Sequence, residues 1–262
     1  MSYRMRVVPK RKRRNGNGVI EEASKAPYGL PVIESCVECP LITESFFCDL
    51  SLTALQGLDS ITSPATYPKG AILFVEGQEP RGVFMICRGR VKLSAGSTSG
   101  KALILRIAES GEVVGLPATI SGKPYEVTAE ALEPIQASFI GREAFLQFLR
   151  ENGEAALRVA QILSNIYRAT YQEVRYLGLS GSAAGKLARF LLDLAETHGA
   201  AENGTVRATM TLTHEEIAEM IGASRETVTR LFADFKRREL LEVHGSALVI
   251  KDKVAMQKVF EA

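Results

Sequence analysis

Thr213-His214-Glu215-Glu216-Ile217-Ala218-Glu219-Met220-Ile221-Gly222-Ala223-Ser224-Arg225-Glu226-Thr227-Val228-Thr229-Arg230-Leu231-Phe232-Ala233-Asp234-Phe235 contains two helices and the turn between them. Thr213 with Glu216 three residues on is a reciprocal capping pair. Ile217, Met220 and Ile221 give the first helix an apolar side. Gly222 permits the tight turn that a helix-turn-helix needs. Ser224 caps the second helix, and Val228, Leu231, Phe232 and Phe235 line one face of it. Arg225, Glu226, Thr229 and Arg230 fall on the other face, within its first two turns.

That placement suits base readout in duplex DNA. A recognition helix sets its N-terminal residues against base edges in the major groove. Arginine donates two hydrogen bonds to guanine, and glutamate accepts from cytosine N4. Glu226 opposes a phosphate backbone, so it argues for base readout over bulk attraction. Lys236, Arg237 and Arg238 are placed to touch phosphates, or simply to complement the helix C-terminus. Glu242 to Ile250 reads as a two-stranded wing turning at Gly245-Ser246, with His244 at its tip.

Upstream, Ala183 to Glu196 is helical, and His198 to Thr205 reads as a loop. From about Glu143 to Leu177 the pattern is helical and long. Ala156, Leu163, Thr170 and Leu177 recur every seven residues, interleaved with Ala160, Tyr167 and Val174. They predict a seam that meets its copy in a second subunit. Gly178 to Ser182 is expected to break this helix and serve as a hinge. Residues 64 to 141 read as short strands separated by glycine turns such as Lys69-Gly70, Glu76-Gly77, Arg88-Gly89 and Gly111-Glu112, which predicts a small barrel or jelly roll. Leu52, Leu55, Leu58 and Ile61 predict a helix before it, capped by Ser51.

The string Ser224-Arg225-Glu226-Thr227-Val228-Thr229-Arg230 resembles the recognition helix of the CRP/FNR family of bacterial transcription regulators. Pro68-Lys69-Gly70, Glu76-Gly77, Arg88-Gly89 and Gly111-Glu112-Val113-Val114-Gly115 fall where that family's β-roll has its turns. The resemblance covers about residues 36 to 255. It implies an α+β architecture: an N-terminal cyclic-nucleotide-binding-like β-roll, a long dimerisation helix and a C-terminal winged helix-turn-helix. The expected boundaries are 1–30 for a basic tail, 31–142 for the sensor β-roll, 143–178 for the dimerisation helix and 179–262 for the DNA-binding domain. The implied partners are double-stranded DNA with a palindromic operator, a second copy of the chain and RNA polymerase. Arg225, Glu226 and Arg230 would read bases, with Thr229 and Ser224 beside them.

In cyclic-nucleotide binders of the family, a Gly-Glu pair holds the ribose and a later Arg-Ser pair neutralises the phosphate. Gly111-Glu112 matches the first pair, but the second falls near Tyr125-Glu126, where a carboxylate would repel phosphate. Cyclic AMP is therefore not expected. The cysteines give another candidate signal. Cys36, Cys39 and Cys48 lie within thirteen residues of a chain that has four cysteines, the last being Cys87. The FNR branch holds a [4Fe–4S] cluster with a similar N-terminal group, and thiolates are the usual ligands. Two features depart from that branch. The final spacing is longer, and its fourth ligand position falls near Ser138, so Cys87 would have to serve. Reduced thiols without a cofactor and a thiol redox switch are the other readings.

Composition adds bounds. The 262 residues carry a formal net charge of +2, with 46% hydrophobic and 24% charged residues, which is an ordinary globular balance. Seven basic residues crowd the first fourteen, as a solvated tail or an arm that attracts phosphates. No apolar run approaches a membrane span and no secretory signal is apparent, so the expected location is the cytoplasm. The three histidines, His198, His214 and His244, join no hydrolase, zinc-protease or phosphate-loop pattern, which disfavours an enzyme. A β-roll protein-interaction module without DNA binding would leave the exposed charges of the second helix without a purpose.

Overall fold

In the computed structural model the described residues are 27–30, 33, 35–37, 39, 47, 50–96, 102–179, 182–202 and 205–261. The basic run of the first fourteen residues and Cys48 lie outside them.

The chain enters through α1 (Leu52–Ser60) and then forms β1 (Ser63–Tyr67), β2 (Ile72–Phe74), β3 (Gly82–Arg88), β4 (Val91–Gly96), β5 (Ala102–Ala108) and β6 (Val113–Val114). After α2 (Leu116–Ser121) come β7 (Thr128–Ala131) and β8 (Ile135–Gly141). The strands make two antiparallel four-stranded sheets, ordered β1-β8-β3-β6 and β2-β7-β4-β5. Phe74, Phe84, Val91, Val114, Tyr125 and Ile135 pack between them. Phe74 and Tyr125 stack with ring centroids 4.0 Å apart, and the Tyr125 hydroxyl donates to Gly82 O at 2.7 Å. Gly82 must be glycine here, because a Cβ would lie 2.0 Å from the Ile140 carbonyl oxygen.

A second core joins the outside of this roll to helices. Phe47, Leu55 and Leu58 meet Val83, Val113 and Ile140, then Phe145 and Phe148 of α3 (Arg142–Glu151). Ala155, Val159 and Ile162 of α4 (Gly153–Leu179) complete it. At 27 residues, α4 is about 40 Å long.

The C-terminal body contains α5 (Ala183–His198), β9 (Ala200–Glu202), β10 (Thr205–Thr209), α6 (His214–Ile221), α7 (Arg225–Arg237), β11 (Leu241–His244), β12 (Ala247–Ile250) and α8 (Lys253–Glu261). Its sheet runs β11-β12-β10-β9, and one core of Leu187, Leu191, Ile217, Val228, Phe235 and Leu248 ties sheet to helices.

Several local expectations change. The helix expected from Glu143 to Leu177 is two helices, parted at Asn152, whose side-chain amide donates to Phe148 O at 2.9 Å. The helix α4 extends through Gly178 to Leu179, two residues into the expected break, and α5 begins at Ala183; residues 180 and 181 are outside the described set. Ser51 makes no side-chain cap to α1, and Leu52 is 61% exposed while Ala54 joins the core in its place. Residues 200–202, expected in a loop, form the edge strand β9 on β10.

Candidate nucleic-acid interface and cysteine pocket

The helix pair α6 and α7 is set by its caps. Thr213 Oγ1 accepts from Glu216 N at 3.2 Å, and the Glu216 carboxylate accepts from Thr213 N at 2.7 Å. Gly222 closes α6 with φ of 65°, a conformation that strains residues bearing a Cβ. Ser224 Oγ accepts from Thr227 N at 3.2 Å and starts α7. Val228, Phe232 and Phe235 are buried, which turns the opposite face outward. Arg225, Glu226, Thr229 and Arg230 are all exposed on that face, next to Ser224. The Glu226 carboxyl is held below its usual range, first by its own backbone amide and then by the Ser224 hydroxyl. It is thus presented as an acceptor.

His214 was not among the expected site residues. It opens α6, stacks on Phe232 with centroids 4.9 Å apart, and sets Nδ1 2.9 Å from Thr229 Oγ1. Its signal lay in the capping sequence, but only the crossing of the two helices reveals its neighbour. Beyond α7, Arg237 and Arg238 both pair with Asp234. The wing turns at Gly245, where φ is 60°, and the exposed His244 sits 3.3 Å from the Glu242 carboxylate.

The cysteines converge from distant parts of the chain. Cys36, Cys39 and Cys87 line one mainly apolar cavity of about 30 Å³, together with Phe47, Met85 and Ser138. Cys87 on β3 lies 3.5 Å from the hydroxyl of Ser138 on β8, because Met85 and Ser138 are register partners in adjacent strands. Cys87 therefore occupies the same face as the position where the family's fourth ligand was expected. Among the described residues no three His, Cys, Asp or Glu side chains form a group that would hold a metal ion. Cys48, the remaining candidate, lies outside those residues.

Two residues that sequence reading did not single out fasten this segment. The buried Gln136 accepts from Ile33 N at 2.8 Å and donates to Ile33 O at 2.5 Å. Asp59 accepts from Cys36 N at 2.6 Å and from the Ser35 hydroxyl at 3.0 Å. Neither has a local motif; each pairs across more than twenty positions in the chain.

In the β-roll, Glu112 pairs with Arg106 at 2.5 Å, so the Gly111-Glu112 turn spends its carboxylate within the roll. Tyr125 is buried in the aromatic core and Glu126 is exposed. On α4, Ala156 is half-buried, while Ala160, Tyr167 and Thr170 are exposed. Leu163 is half-buried and packs against the second core, beside Val159 and Ile162. Among the described side chains of this helix, Leu157, Tyr167 and Tyr171 are the large exposed apolar ones, at 63%, 69% and 65%. The side chains of Val174 and Leu177 lie outside the described set.

A model of the cyclic nucleotide-binding domain matches residues 64–152, and one of the Crp-like helix-turn-helix domain matches residues 185–259. The chain is 28% identical over 212 residues to a CRP-like cAMP-activated global transcriptional regulator of Mycobacterium tuberculosis, covering 81% of this chain and 94% of that one. It is 25% identical over 197 residues to the anaerobic regulatory protein of Bacillus subtilis, covering 75% and 82%. A solved CooA variant from Carboxydothermus hydrogenoformans superposes with a TM-score of 0.67 at 25% identity, over 79% of this chain and 90% of that one. No described helix is long and apolar enough to cross a membrane. With both domain models in chain order and relatives matched along nearly their whole length, this chain belongs to the CRP/FNR family and is a DNA-binding transcription regulator, not an enzyme.

Proposed function

We propose that the chain acts as a homodimer on a palindromic operator, and that the thiol pocket of its β-roll sets how well the dimer binds. The observation that carries the DNA reading is the outward row Arg225, Glu226, Thr229 and Arg230 on a capped helix whose other face is buried. Arg225 and Arg230 donate to guanine edges, and Glu226 accepts from cytosine. Ser224, at the helix start, lies nearest the backbone. Two-fold symmetry spaces the half-sites about one helical turn apart.

The exposed stripe of Leu157, Ala160, Tyr167 and Tyr171 on α4 supports pairing between two copies. It follows the expected seam at Ala160 and Tyr167 and adds Leu157 and Tyr171. Leu157→Glu should weaken self-association, read as a fall in mass by analytical ultracentrifugation; an unchanged mass contradicts the pairing.

The sensing reading rests on the shared cavity. The three thiols facing one apolar space have the donor chemistry of an iron–sulfur site, but as placed they do not form a metal-holding group, so ligation would need Cys48 and a shift of the cysteine segment. Cys36, Cys39 and Cys87, with Cys48, would hold it, and it would supply a centre whose integrity depends on oxidation. The name of the Bacillus subtilis relative supports an oxygen- or redox-linked signal. The chain itself provides the transmission. Phe47, Leu55, Leu58 and Val113 line the cavity and also belong to the core that seats Val159 and Ile162 of α4. A change in the thiol segment therefore loads the helix that carries the exposed stripe.

A cyclic nucleotide is a poorer reading, despite the cAMP-activated relative. Tyr125 fills the roll, Glu126 brings negative charge, and Glu112 is already paired. RNA polymerase completes the proposed partners, since regulators of this class act at promoters. Selection from random duplex DNA by the purified full chain tests the whole reading. A symmetric enriched motif supports it, and equal recovery of all sequences overturns it.

A further inference from the structure

We infer that His214 makes operator binding proton-linked: the imidazole holds Thr229 in place in both states and gains a proton when DNA phosphate arrives. This rests on the DNA reading above and deepens it. The geometry starts from a hydrogen-bond chain. His214 Nδ1 lies 2.9 Å from Thr229 Oγ1, and Thr229 Oγ1 donates to Arg225 O at 3.0 Å. A threonine hydroxyl has one proton. With that proton committed to Arg225 O, His214 Nδ1 must be the donor to Thr229. The neutral Nδ1–H form and the imidazolium both satisfy this chain, so protonation need not disturb the base-reading face.

The other ring nitrogen, Nε2, then carries the change. It is an acceptor in the neutral ring and a donor in the cation. His214 is the first residue of α6, and the first helix of a helix-turn-helix crosses the DNA backbone. Helix N-termini favour phosphate there. The face-to-face stack on Phe232 fixes the ring plane, with 8° between the two rings.

The surrounding charges set the sign. Burial, then Lys236 and Arg225 of α7, lower the His214 pKa in the free protein. Of the acids in its own turn, Glu216 is engaged in the capping box and feels Arg90 of the β-roll, while Glu215 is exposed. The free imidazole is thus neutral near pH 7. A phosphate beside it favours the cation and raises its pKa in the complex. Binding takes up a proton between the two values, so affinity increases as pH falls through that window and levels off below the free-state value.

Two measurements decide it. Operator affinity of the full chain, with the motif recovered by selection, is titrated by fluorescence anisotropy from pH 8.5 to about 5.5. One proton per protomer gives up to about tenfold tighter binding per pH unit for each His214 engaged. His214→Gln keeps a donor for Thr229 and should retain sequence preference with a flat profile. In parallel, the imidazole resonances are titrated by NMR with and without the duplex, which the presence of only three histidines makes tractable. The His214 pKa should lie below about 6.5 when free and above it when bound. Specific binding with the same pH slope in wild type and His214→Gln, or an imidazole pKa that DNA leaves unchanged, overturns the proton linkage alone. Absence of sequence preference at every pH overturns the DNA reading and this inference with it.

Discussion

The helix pair of the C-terminal body and the cysteine cavity of the β-roll are assembled in opposite ways. The helix pair comes from one continuous stretch, Thr213 to Phe235, with its caps, turn and apolar faces at fixed local offsets. The cavity draws Cys36, Cys39, Phe47, Cys87 and Ser138 from separate elements. Local hydrogen bonds define the first, and sheet register defines the second. The helix pair should therefore fail abruptly when its own residues change, whereas the cavity should fail through distant clamps.

The largest effect expected is at Phe235, fully buried in the C-terminal core. Phe235→Ala removes its packing and should destabilise that body by about 3–5 kcal/mol, seen in denaturant unfolding. A value near zero would mean that α7 does not depend on its apolar face. Next is Gln136→Leu, which strips both hydrogen bonds from Ile33 and should lower stability by about 1–3 kcal/mol. Protease cleavage between Ile33 and Cys39 should quicken while the helix pair keeps its DNA affinity at a fixed thiol state. Unchanged cleavage would show that the clamp does not hold the cysteine segment.

Gly222→Ala forces a Cβ into a left-handed turn and should cost roughly 1–2 kcal/mol, with no steric clash to add, since nothing lies within 4 Å. Ser224→Ala removes the α7 cap and should cost about 1 kcal/mol. Arg237→Ala breaks an exposed pair with Asp234 and should change stability by less than about 1 kcal/mol. A larger loss at Arg237 than at Ser224 would mean that the exposed ion pair outweighs the helix cap. The cavity has its own check. Protein reconstituted with iron and sulfide without air should retain both and absorb visibly, and Cys36→Ser or Cys87→Ser should abolish that retention.

Sequence reading went furthest where periodicity and caps are local. Thr213, Gly222 and Ser224 marked both helices, and the glycine turns marked most of the roll. Within the stretch from residue 64 it marked no separate strand at β1, because Ser63-Pro64-Ala65 has no apolar alternation and becomes a strand by pairing with β8. It missed the parting at Asn152, because the helical pattern read from Glu143 carries no local mark at a residue whose side chain bonds back to Phe148 O. Leu163, expected on the seam, is half-buried and also packs against the core that holds Val159 and Ile162, a double placement that heptad counting does not reveal. The proximity of Cys87 to Ser138 follows from register across 51 positions, and His214 beside Thr229 follows from how two helices cross. Neither relation exists within a short window of sequence.

The central claim is that the exposed face of α7 reads bases. Its most direct test compares wild type with Arg225→Ala on the selected operator and on each single-base variant, at one salt concentration. The account predicts a loss of about 1–3 kcal/mol on the cognate duplex, roughly 5- to 160-fold, with preference erased at one base pair in each half-site. An equal loss on every duplex, with all preferences intact, would contradict it.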